Sequence, residues 1–432
     1  MATLEDLEFE DLIAFSHAWP RVANIVASYD LIRLRELQCF FSKTTFRNTK
    51  LGVGVDVSSL GKRSIESEFD LISQEAFRDL AIRNSVHNIS FKHWLPLPLS
   101  RRHWKSVEGD VAPVLTTLST EAGLLSKSPI EVLAAFMNDI VVRLNMIEAH
   151  PSRKTQYHAG QKSTLRHASE KAIESYFHLF HLILCLATEN EELVSAANSK
   201  ITGFMNGQTS KVACPNLGHL LVYLLISDIP ITDMVRKTII TEAITRNVVW
   251  MLDKRGANMP ELSYLEPDKV SHYRLRKTFE ASRTSYRLLM FSELFRRIAR
   301  PTNGRSLVKL RDELFDRHGA PPAGAALHLS TEVRRLHDID NFWDFFVEMG
   351  IEQKPGIEWF TAHLRDCINN SMAKGYSIWG LSEYTALALR CQLEPTVGLY
   401  ANLYPGYAPR HWELQQATFF PNKKRSQKRS RR

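Results

Sequence analysis

Amphipathic helical segments follow one another along most of this 432-residue chain, and that succession limits its fold more than any other feature. From residue 110 onward, apolar residues recur every three or four positions, and Gly256, Gly350 and Gly375 stand where helices should end. The clearest helix start is Ser128-Pro129-Ile130-Glu131, a capping box with proline at the first helical position. Further helices are expected at about residues 172–188, 193–205, 217–227, 232–254, 268–299, 305–317, 329–349, 357–374 and 381–391.

Such a series of helices has to bury the apolar stripe of each helix against its neighbours. The sequence therefore predicts a mainly α protein with a large irregular α-helical array or bundle. A repeat of about 34 to 47 residues is not visible, so the sequence does not indicate a regular solenoid.

The N-terminal part of the chain follows a different pattern. Leu51–Val57 alternates leucine and valine with Gly52 and Gly54, which predicts a strand whose glycine face is closely approached by another backbone or a helix. Residues 93–99 (HWLPLPL) hold two prolines and are expected to run extended. We expect three parts: a small α/β unit with this Pro/Trp-rich segment at residues 1–108, an α-helical domain at 109–400, and an extended segment with a disordered basic tail at 401–432.

The positive charge of the chain is concentrated at its end. The formal charge is +8, from 55 lysines and arginines against 47 acidic residues. Seven of these basic residues lie within the last ten positions, so the remainder is nearly neutral, with 48 basic and 47 acidic residues. Such a run is typical of a nuclear-import or polyanion-binding segment. Its residues are Lys423, Lys424, Arg425, Lys428, Arg429, Arg431 and Arg432.

The cysteines and the apolar stretches indicate the compartment. Five cysteines are scattered without a CxxC pair, which fits buried thiols in a reducing compartment better than a disulfide framework or a zinc site. The N-terminus lacks a basic region followed by an apolar core, and the longest apolar stretches fall well short of about 20 residues. We expect a soluble intracellular protein of the nucleus, the cytoplasm or both, without a membrane segment.

Three patterns that superficially suggest chemistry favour a structural interpretation. His178 and His181 lack the HExxH spacing of metal hydrolases. His363 and Cys367 are one helical turn apart, but Cys367 falls on an apolar stripe, which favours a structural thiol. The glycines of Leu51–Val57 lack the third glycine and the following helix of a dinucleotide site. We expect no catalytic residue, no metal site and no cofactor in this chain.

Two segments are candidates for contact with a partner. Trp94, Arg101, Arg102 and Trp104 bring aromatic rings and arginines together as interface anchors often do, although both tryptophans could equally pin the α/β unit to the helical domain. Residues 268–300 hold nine basic residues interleaved with aromatic residues. This pattern occurs in nucleic-acid grooves and also in helices with a buried aromatic stripe.

Residues 31–104 carry a recognisable order of motifs. The order runs from 34–40 (LRELQCF) through 51–55 (LGVGV) and 65–77 (IESEFDLISQEAF) to 93–100 (HWLPLPLS). It resembles a region found beside ubiquitin-conjugating-like domains in large fungal multidomain proteins. The helical region from residue 110 to residue 400 is similar to the part that follows in those proteins.

The resemblance implies an association with the ubiquitin-conjugation system. A conjugating core needs a thioester cysteine shortly after a His-Pro-Asn segment, and neither 150–152 (HPS) nor 214–216 (CPN) has that order, so no catalytic residue is carried over. We expect a non-catalytic interaction or scaffold region that recognises protein partners of this system. Two alternatives stay open: a nuclear nucleic-acid-associated protein that uses the Arg-rich helix and the basic tail, and the distal part of a ubiquitin-conjugating-like enzyme whose catalytic domain lies outside this chain.

Overall fold

The protein is mainly α-helical with one small sheet near the N-terminus, which confirms the predicted fold class. The computed structural model describes Leu4, Leu7 and residues 9–58, 63–124, 128–144, 169–264, 270–301, 305–353, 355–378 and 381–393. The predicted extended segment and basic tail at 401–432 lie outside the described residues. The chain divides into two compact units. The first comprises Met1–Ala197, Val222–Ser227 and Arg296–Val333, and the second comprises Asn198–Leu221, Asp228–Phe295 and Arg334–Arg432.

The described residues form helices of very different lengths and four short strands. The helices of the N-terminal half are α1 Phe9–Ala18, α2 Pro20–Ser28, α3 Leu31–Glu36, α4 Gln74–Arg78, α5 Arg101–Ala122, α6 Pro129–Leu144, α7 Glu170–Glu189 and α8 Glu191–Met205. The strands are β1 Leu51–Val57, β2 Ile65–Glu66, β3 Leu71–Ser73 and β4 His93–Pro96. The remaining helices are α9 Leu217–Tyr223, α10 Asp233–Leu252, a 3-10 helix Pro260–Tyr264, α11 His272–Glu280, α12 Arg283–Ala299, α13 Leu307–Asp316, α14 Ala325–Asp338, α15 Phe342–Glu348, α16 Ile357–Ala373 and α17 Glu383–Leu393. Among the helices described, none combines the length and the apolar composition that crossing a membrane would require.

β1 is the central strand of an antiparallel sheet in the first unit. Gly52 lies opposite Ile72 of β3 and also opposite Pro96 of β4, so these two strands flank β1 on its two edges. β2 pairs with the last two residues of β1. β1 is buried along nearly its whole length.

Gly52 and Gly54 allow this close packing. A Cβ atom at Gly52 would lie 2.3 Å from the carbonyl oxygen of Leu95, and a Cβ atom at Gly54 would lie 2.3 Å from the ring of Phe91. Since side chains do not pack at such distances, each glycine makes room for a neighbour. The close approach predicted from the glycine face of this strand is therefore observed, from a backbone in one case and a side chain in the other.

Helices cover the sheet and form the rest of the first unit. α5 packs on β1 and β4, α6 packs on β2 and α5, and α7 packs on α6 and α13. α5 begins after Ser100, whose Oγ accepts the backbone N–H of His103 at 3.1 Å, and ends at Gly123, whose φ of 67° terminates the helix. The predicted boundary after residue 108 falls within this helix. α6 begins at Pro129, as the capping box predicts.

The second unit is held together by α10, α16 and a cluster of aromatic rings. α10 packs along α16, and the 3-10 helix contacts α10, α16 and α17. Phe279 stacks on Tyr286 with ring centroids 5.0 Å apart, and Tyr286 in turn lies 4.8 Å from Phe345. Burial of such rings is a large stabilising contribution to a helical core.

Two segments predicted as single long helices are each broken in two. The predicted helix at 268–299 is α11 followed by α12, and the predicted helix at 329–349 is α14 followed by α15. The second break has a local cause, because the side chain of Asn341 accepts the backbone N–H of Asp344 at 3.0 Å and caps a new helix. Apolar periodicity alone does not reveal such a cap, since the spacing of apolar residues continues across it.

Candidate functional site

One face of α10 forms the wall of a cavity in the second unit. The cavity has a volume of about 500 Å³ and lies between α10, α16 and the loop at residues 206–216. We call it the Glu242 cavity. Eight of its nine lining residues carry a polar side-chain group: Thr209, Lys237, Thr238, Thr241, Glu242, Thr245, Asn370 and Lys374, with Met234 as the apolar exception.

The sequence of α10 explains why its polar residues share a face. Met234, Thr238, Thr241 and Thr245 follow at intervals of three or four residues, so they lie along one side of the helix. Other positions of the helix, such as Ile244, are buried in the core. α10 is thus apolar on one side and hydroxyl-rich on the side that lines the cavity.

Glu242 is the centre of a buried polar network beside the cavity. Its Oε2 lies 2.5 Å from Nζ of Lys374, and its Oε1 accepts hydrogen bonds from Nε of Arg246 at 2.8 Å and from the hydroxyl of Tyr376 at 3.1 Å. The Glu242 carboxylate is 3% exposed, so it needs these partners to offset the loss of water. Burial first and the charge of Glu242 second raise the pKa of Tyr376, so its phenol keeps the proton that it donates.

The same network fixes the loop at 206–216. The Arg246 guanidinium donates to the carbonyl oxygens of Thr209 at 2.8 Å and of Cys214 at 2.6 Å. Nζ of Lys374 donates to Oγ1 of Thr209 at 2.7 Å. The loop wall of the cavity is therefore held by charge-assisted hydrogen bonds from α10 and from the residue that follows α16.

The hydroxyl groups of α10 are already oriented by the helix. Oγ1 of Thr238 donates to the carbonyl of Met234 at 2.8 Å, and Oγ1 of Thr245 donates to the carbonyl of Thr241 at 2.8 Å. Since these protons are used, the two oxygens can only accept hydrogen bonds. Thr238 is half-buried and could accept from a ligand, whereas Thr245 is 1% exposed and lies against the Cys367 thiol. Lys237, by contrast, is exposed and makes no hydrogen bond or ion pair within the part of the chain that the structure describes.

Cys367 and His363 adjoin α10 but do not form a reactive pair. The Cys367 Sγ lies 3.7 Å from Nε2 of His363, and the thiol is fully buried. Burial is the main cause that raises the pKa of Cys367 to about 12, and burial also lowers the pKa of His363. The thiol therefore stays protonated and out of reach of a substrate at neutral pH.

His178 and His181 occupy the interior of the first unit. His178 lies 3.5 Å from Oε1 of Glu174, and the ring of His181 packs edge-on against Phe315 with centroids 4.5 Å apart. Burial opposes ionisation of Glu174, but the hydrogen bond and charge of His178, together with Arg33, lower its pKa to about 2. Burial lowers the pKa of His181 well below its usual value, so His181 stays neutral. Among the described residues, histidines, cysteines and carboxylates do not come together in threes as a metal ion would need.

The four residues predicted to contact a partner are divided between interior and surface. Trp94 is buried and its Nε1 donates to the carbonyl of Ile72 at 3.0 Å. Trp104 is also buried, with Nε1 2.5 Å from a carboxylate oxygen of Glu189. Both rings thus pack inside the first unit, and Arg101 and Arg102 alone remain on its surface. Contact with a partner therefore stays a prediction for these two arginines. Nη1 of Arg101 donates a hydrogen bond to Oδ1 of Asp316 at 2.7 Å.

The Arg-rich segment at 268–300 buries several of its basic groups. Arg274, Arg287 and Arg296 are all almost completely buried, and Arg274 forms an ion pair with the buried carboxylate of Glu261. The aromatic residues of the segment are buried as well, except Tyr273. Three of the nine basic residues therefore support the fold of the protein, whereas Arg276, Arg283 and Arg297 are exposed. The seven basic residues predicted to form the import or polyanion-binding tail lie outside the described residues.

The sequence matches no protein-family model, and a search of curated proteins found no match. Function therefore has to be inferred from the chain's own residues and from the resemblance at residues 31–104. None of the residues that line the Glu242 cavity belongs to a motif predicted from the sequence. The one signal that could have indicated them is the regular spacing of the threonines on α10.

Proposed function

We propose that this protein recognises protein partners and that these partners belong to the ubiquitin-conjugation system. Two exposed aromatic side chains, one at each end of α2, are the observation that carries partner recognition. Trp19, between α1 and α2, is 57% exposed, and its ring packs edge-on against Phe15 at 4.9 Å. Tyr29, just after α2, is 48% exposed, and Ile25 lies one helical turn before it.

These side chains are not needed to fill the core beneath them. Leu12, Val26 and Leu31 already form a buried cluster between the same helices. Large aromatic residues are enriched at the centres of protein interfaces, where their burial contributes much of the binding energy. The exposed rings of Trp19 and Tyr29 therefore fit a surface that is covered when a partner binds.

The choice of partner rests on the resemblance. The region at residues 31–104 begins two positions after Tyr29, so Trp19 and Tyr29 precede in sequence the region that resembles companions of ubiquitin-conjugating-like domains. In this proposal the protein is a non-catalytic scaffold, and the basic tail at 423–432 directs it to the nucleus. Binding to nucleic acid through that tail is a second candidate function, favoured by its seven basic residues.

Partner recognition can be tested with purified components. We expect the intact chain to bind ubiquitin, or a ubiquitin-conjugating enzyme in its free or ubiquitin-charged form, in a biolayer interferometry panel. The double variant Trp19→Ala, Tyr29→Ala should weaken that binding by about tenfold or more. Leu80→Ala removes an equally exposed apolar side chain elsewhere in the first unit and should leave binding unchanged. Absence of binding to the whole panel, or equal binding by the double variant, would contradict the proposal.

The scaffold role also predicts that the chain does not carry ubiquitin on a cysteine. Among the cysteine side chains that the structure describes, Cys39, Cys185 and Cys367 are buried, and burial is the main cause that raises the pKa of Cys185 and of the partly buried Cys214. Burial also opposes ionisation of Cys39, but hydrogen bonds with Ser42 and with backbone groups lower its pKa, so for Cys39 the expectation rests on its burial alone. Incubation with a ubiquitin-activating enzyme, ubiquitin and ATP should therefore give no adduct that a reducing agent removes. A reducible ubiquitin adduct on a denaturing gel would instead support a transferase.

A further inference from the structure

We propose that the Glu242 cavity binds a small phosphorylated sugar, that is, a phosphate monoester that also carries hydroxyl groups. The observation that carries this inference is a polar cavity that combines an excess of positive charge with hydroxyl and amide groups and with a fixed hydrogen-bond acceptor, Oγ1 of Thr238. The proposal concerns the second unit and does not depend on partner recognition by the first.

The charge of the cavity favours an anion. Lys237, Lys374 and Arg246 lie in or behind its wall, against the single carboxylate of Glu242. Because Glu242 is already hydrogen-bonded to Lys374 and Arg246, its negative charge is compensated within the protein. The remaining positive charge is directed to the cavity, chiefly through the unpaired and exposed Lys237.

The hydrogen-bond donors needed for a phosphate group are present. Nζ of Lys374 uses one proton for Glu242 and one for Thr209, which leaves a third. Oγ1 of Thr209 accepts that bond, so its own proton can be given to a ligand. Together with Lys237 and the amide of Asn370, these groups supply charged and neutral donors to the same cavity. Lysine ammonium groups bind phosphate as point charges, and hydroxyl and amide groups complete such sites.

The acceptors of the cavity indicate the remainder of the ligand. Thr238 is half-buried and donates its proton to its own helix, so its oxygen can only accept, and a ligand must bring a donor to it. A sugar supplies hydroxyl groups as such donors. The volume of about 500 Å³ exceeds that of a bare phosphate ion and falls within the roughly 300 to 1,000 Å³ of small-molecule sites.

Isothermal titration calorimetry of the full chain at low salt tests the proposal. The probes are glucose 6-phosphate, glucose, inorganic phosphate and a phosphoserine peptide. We expect glucose 6-phosphate to bind, inorganic phosphate to bind more weakly and glucose not to bind. Lys237→Gln removes an exposed charge without disturbing the buried network and should weaken binding by about tenfold. Lys309→Gln makes the same change at an exposed position of α13 and should have no effect.

Each alternative result has a distinct meaning. If none of the probes binds, or if only the phosphopeptide binds, a site for a small phosphorylated sugar is ruled out. Equal loss of affinity in Lys237→Gln and Lys309→Gln would mean that binding is a general effect of charge and would overturn the proposal. Thr238→Val retains the size of the side chain and should weaken the binding of glucose 6-phosphate more than the binding of inorganic phosphate. Equal effects on both ligands would contradict recognition of the sugar hydroxyls.

Discussion

Glu242 is the residue on which the polar contacts of the second unit converge, and its replacement should be costly. In Glu242→Gln, Lys374 and Arg246 lose the carboxylate that compensates their charge. Removing one partner of a buried ion pair typically costs about 3 kcal/mol or more, and we expect a loss of about 3 kcal/mol because Lys374 is partly exposed. Urea unfolding measures this free energy directly.

A matched variant shows whether the loss belongs to the network. Glu352→Gln makes the same chemical change at an exposed position of the same unit and should alter stability by less than about 0.5 kcal/mol. If Glu242→Gln changed the free energy of unfolding as little as Glu352→Gln does, the network would contribute little to the stability of the folded state.

His103 should make the protein less stable in mild acid. Its Nε2 accepts the backbone N–H of Leu51 at 2.8 Å, and burial lowers the pKa of His103 to about 4. The unfolded chain binds a proton at this residue near its ordinary pKa of 6.5, whereas the folded chain resists protonation until about pH 4. As the pH falls from 7 to 5, the unfolded state therefore gains protons first, and folding should lose about 2 kcal/mol from this residue.

The variant His103→Gln isolates this contribution. Its amide oxygen can still accept the Leu51 N–H but does not titrate. The difference in unfolding free energy between variant and native protein should thus shrink by about 2 kcal/mol between pH 7 and pH 5. His181 and His363 also titrate, but they are common to both proteins and cancel in the difference. If the unfolding free energies of the variant and the native protein changed in parallel with pH, His103 would not titrate as described.

At the scale of elements, the contact between β1 and β4 depends on a missing side chain. Gly52→Ala would place a Cβ atom 2.3 Å from the Leu95 carbonyl oxygen, and the strands would have to separate. We expect a loss of about 3 kcal/mol in urea unfolding, as for other overpacked interiors. Gly109→Ala is the matched control, because a Cβ atom there meets open space in the middle of α5. It should stabilise the protein by about 0.5 to 1 kcal/mol, and a similar loss in both variants would contradict this account.

Sequence patterns predicted those elements whose cause is local. The start of α6 at Pro129 and the strand around Gly52 follow from capping and from alternation, which are properties of neighbouring residues. The break before Phe342 was missed because one capping side chain outweighs a continuing apolar period. The Glu242 cavity was missed for a different reason. Glu242 and Lys374 are 132 positions apart, and no sequence pattern indicates that a helix face and a distant lysine will meet.

For the whole molecule, the distribution of charge predicts how nucleic acid would be bound. Nearly all the excess positive charge lies at 423–432, whereas the Arg-rich segment at 268–300 buries three of its nine basic residues. If the tail binds duplex DNA, affinity should fall by about 10³-fold between 50 and 200 mM salt. The chain without residues 423–432 should not bind. Replacing the seven basic residues with glutamine should have the same effect at unchanged length, and a steep salt dependence without the tail would point to a basic groove in the body of the protein.

The small sheet also limits the ways in which this molecule can associate. The two strands that flank β1 are only three and four residues long, and β4 ends in Pro96, which has no amide hydrogen to donate. A foreign peptide could therefore gain few main-chain hydrogen bonds by joining either side as an additional strand. Recognition by this part of the protein has to rely on side chains, and the same property protects it from stacking into fibrils through its sheet.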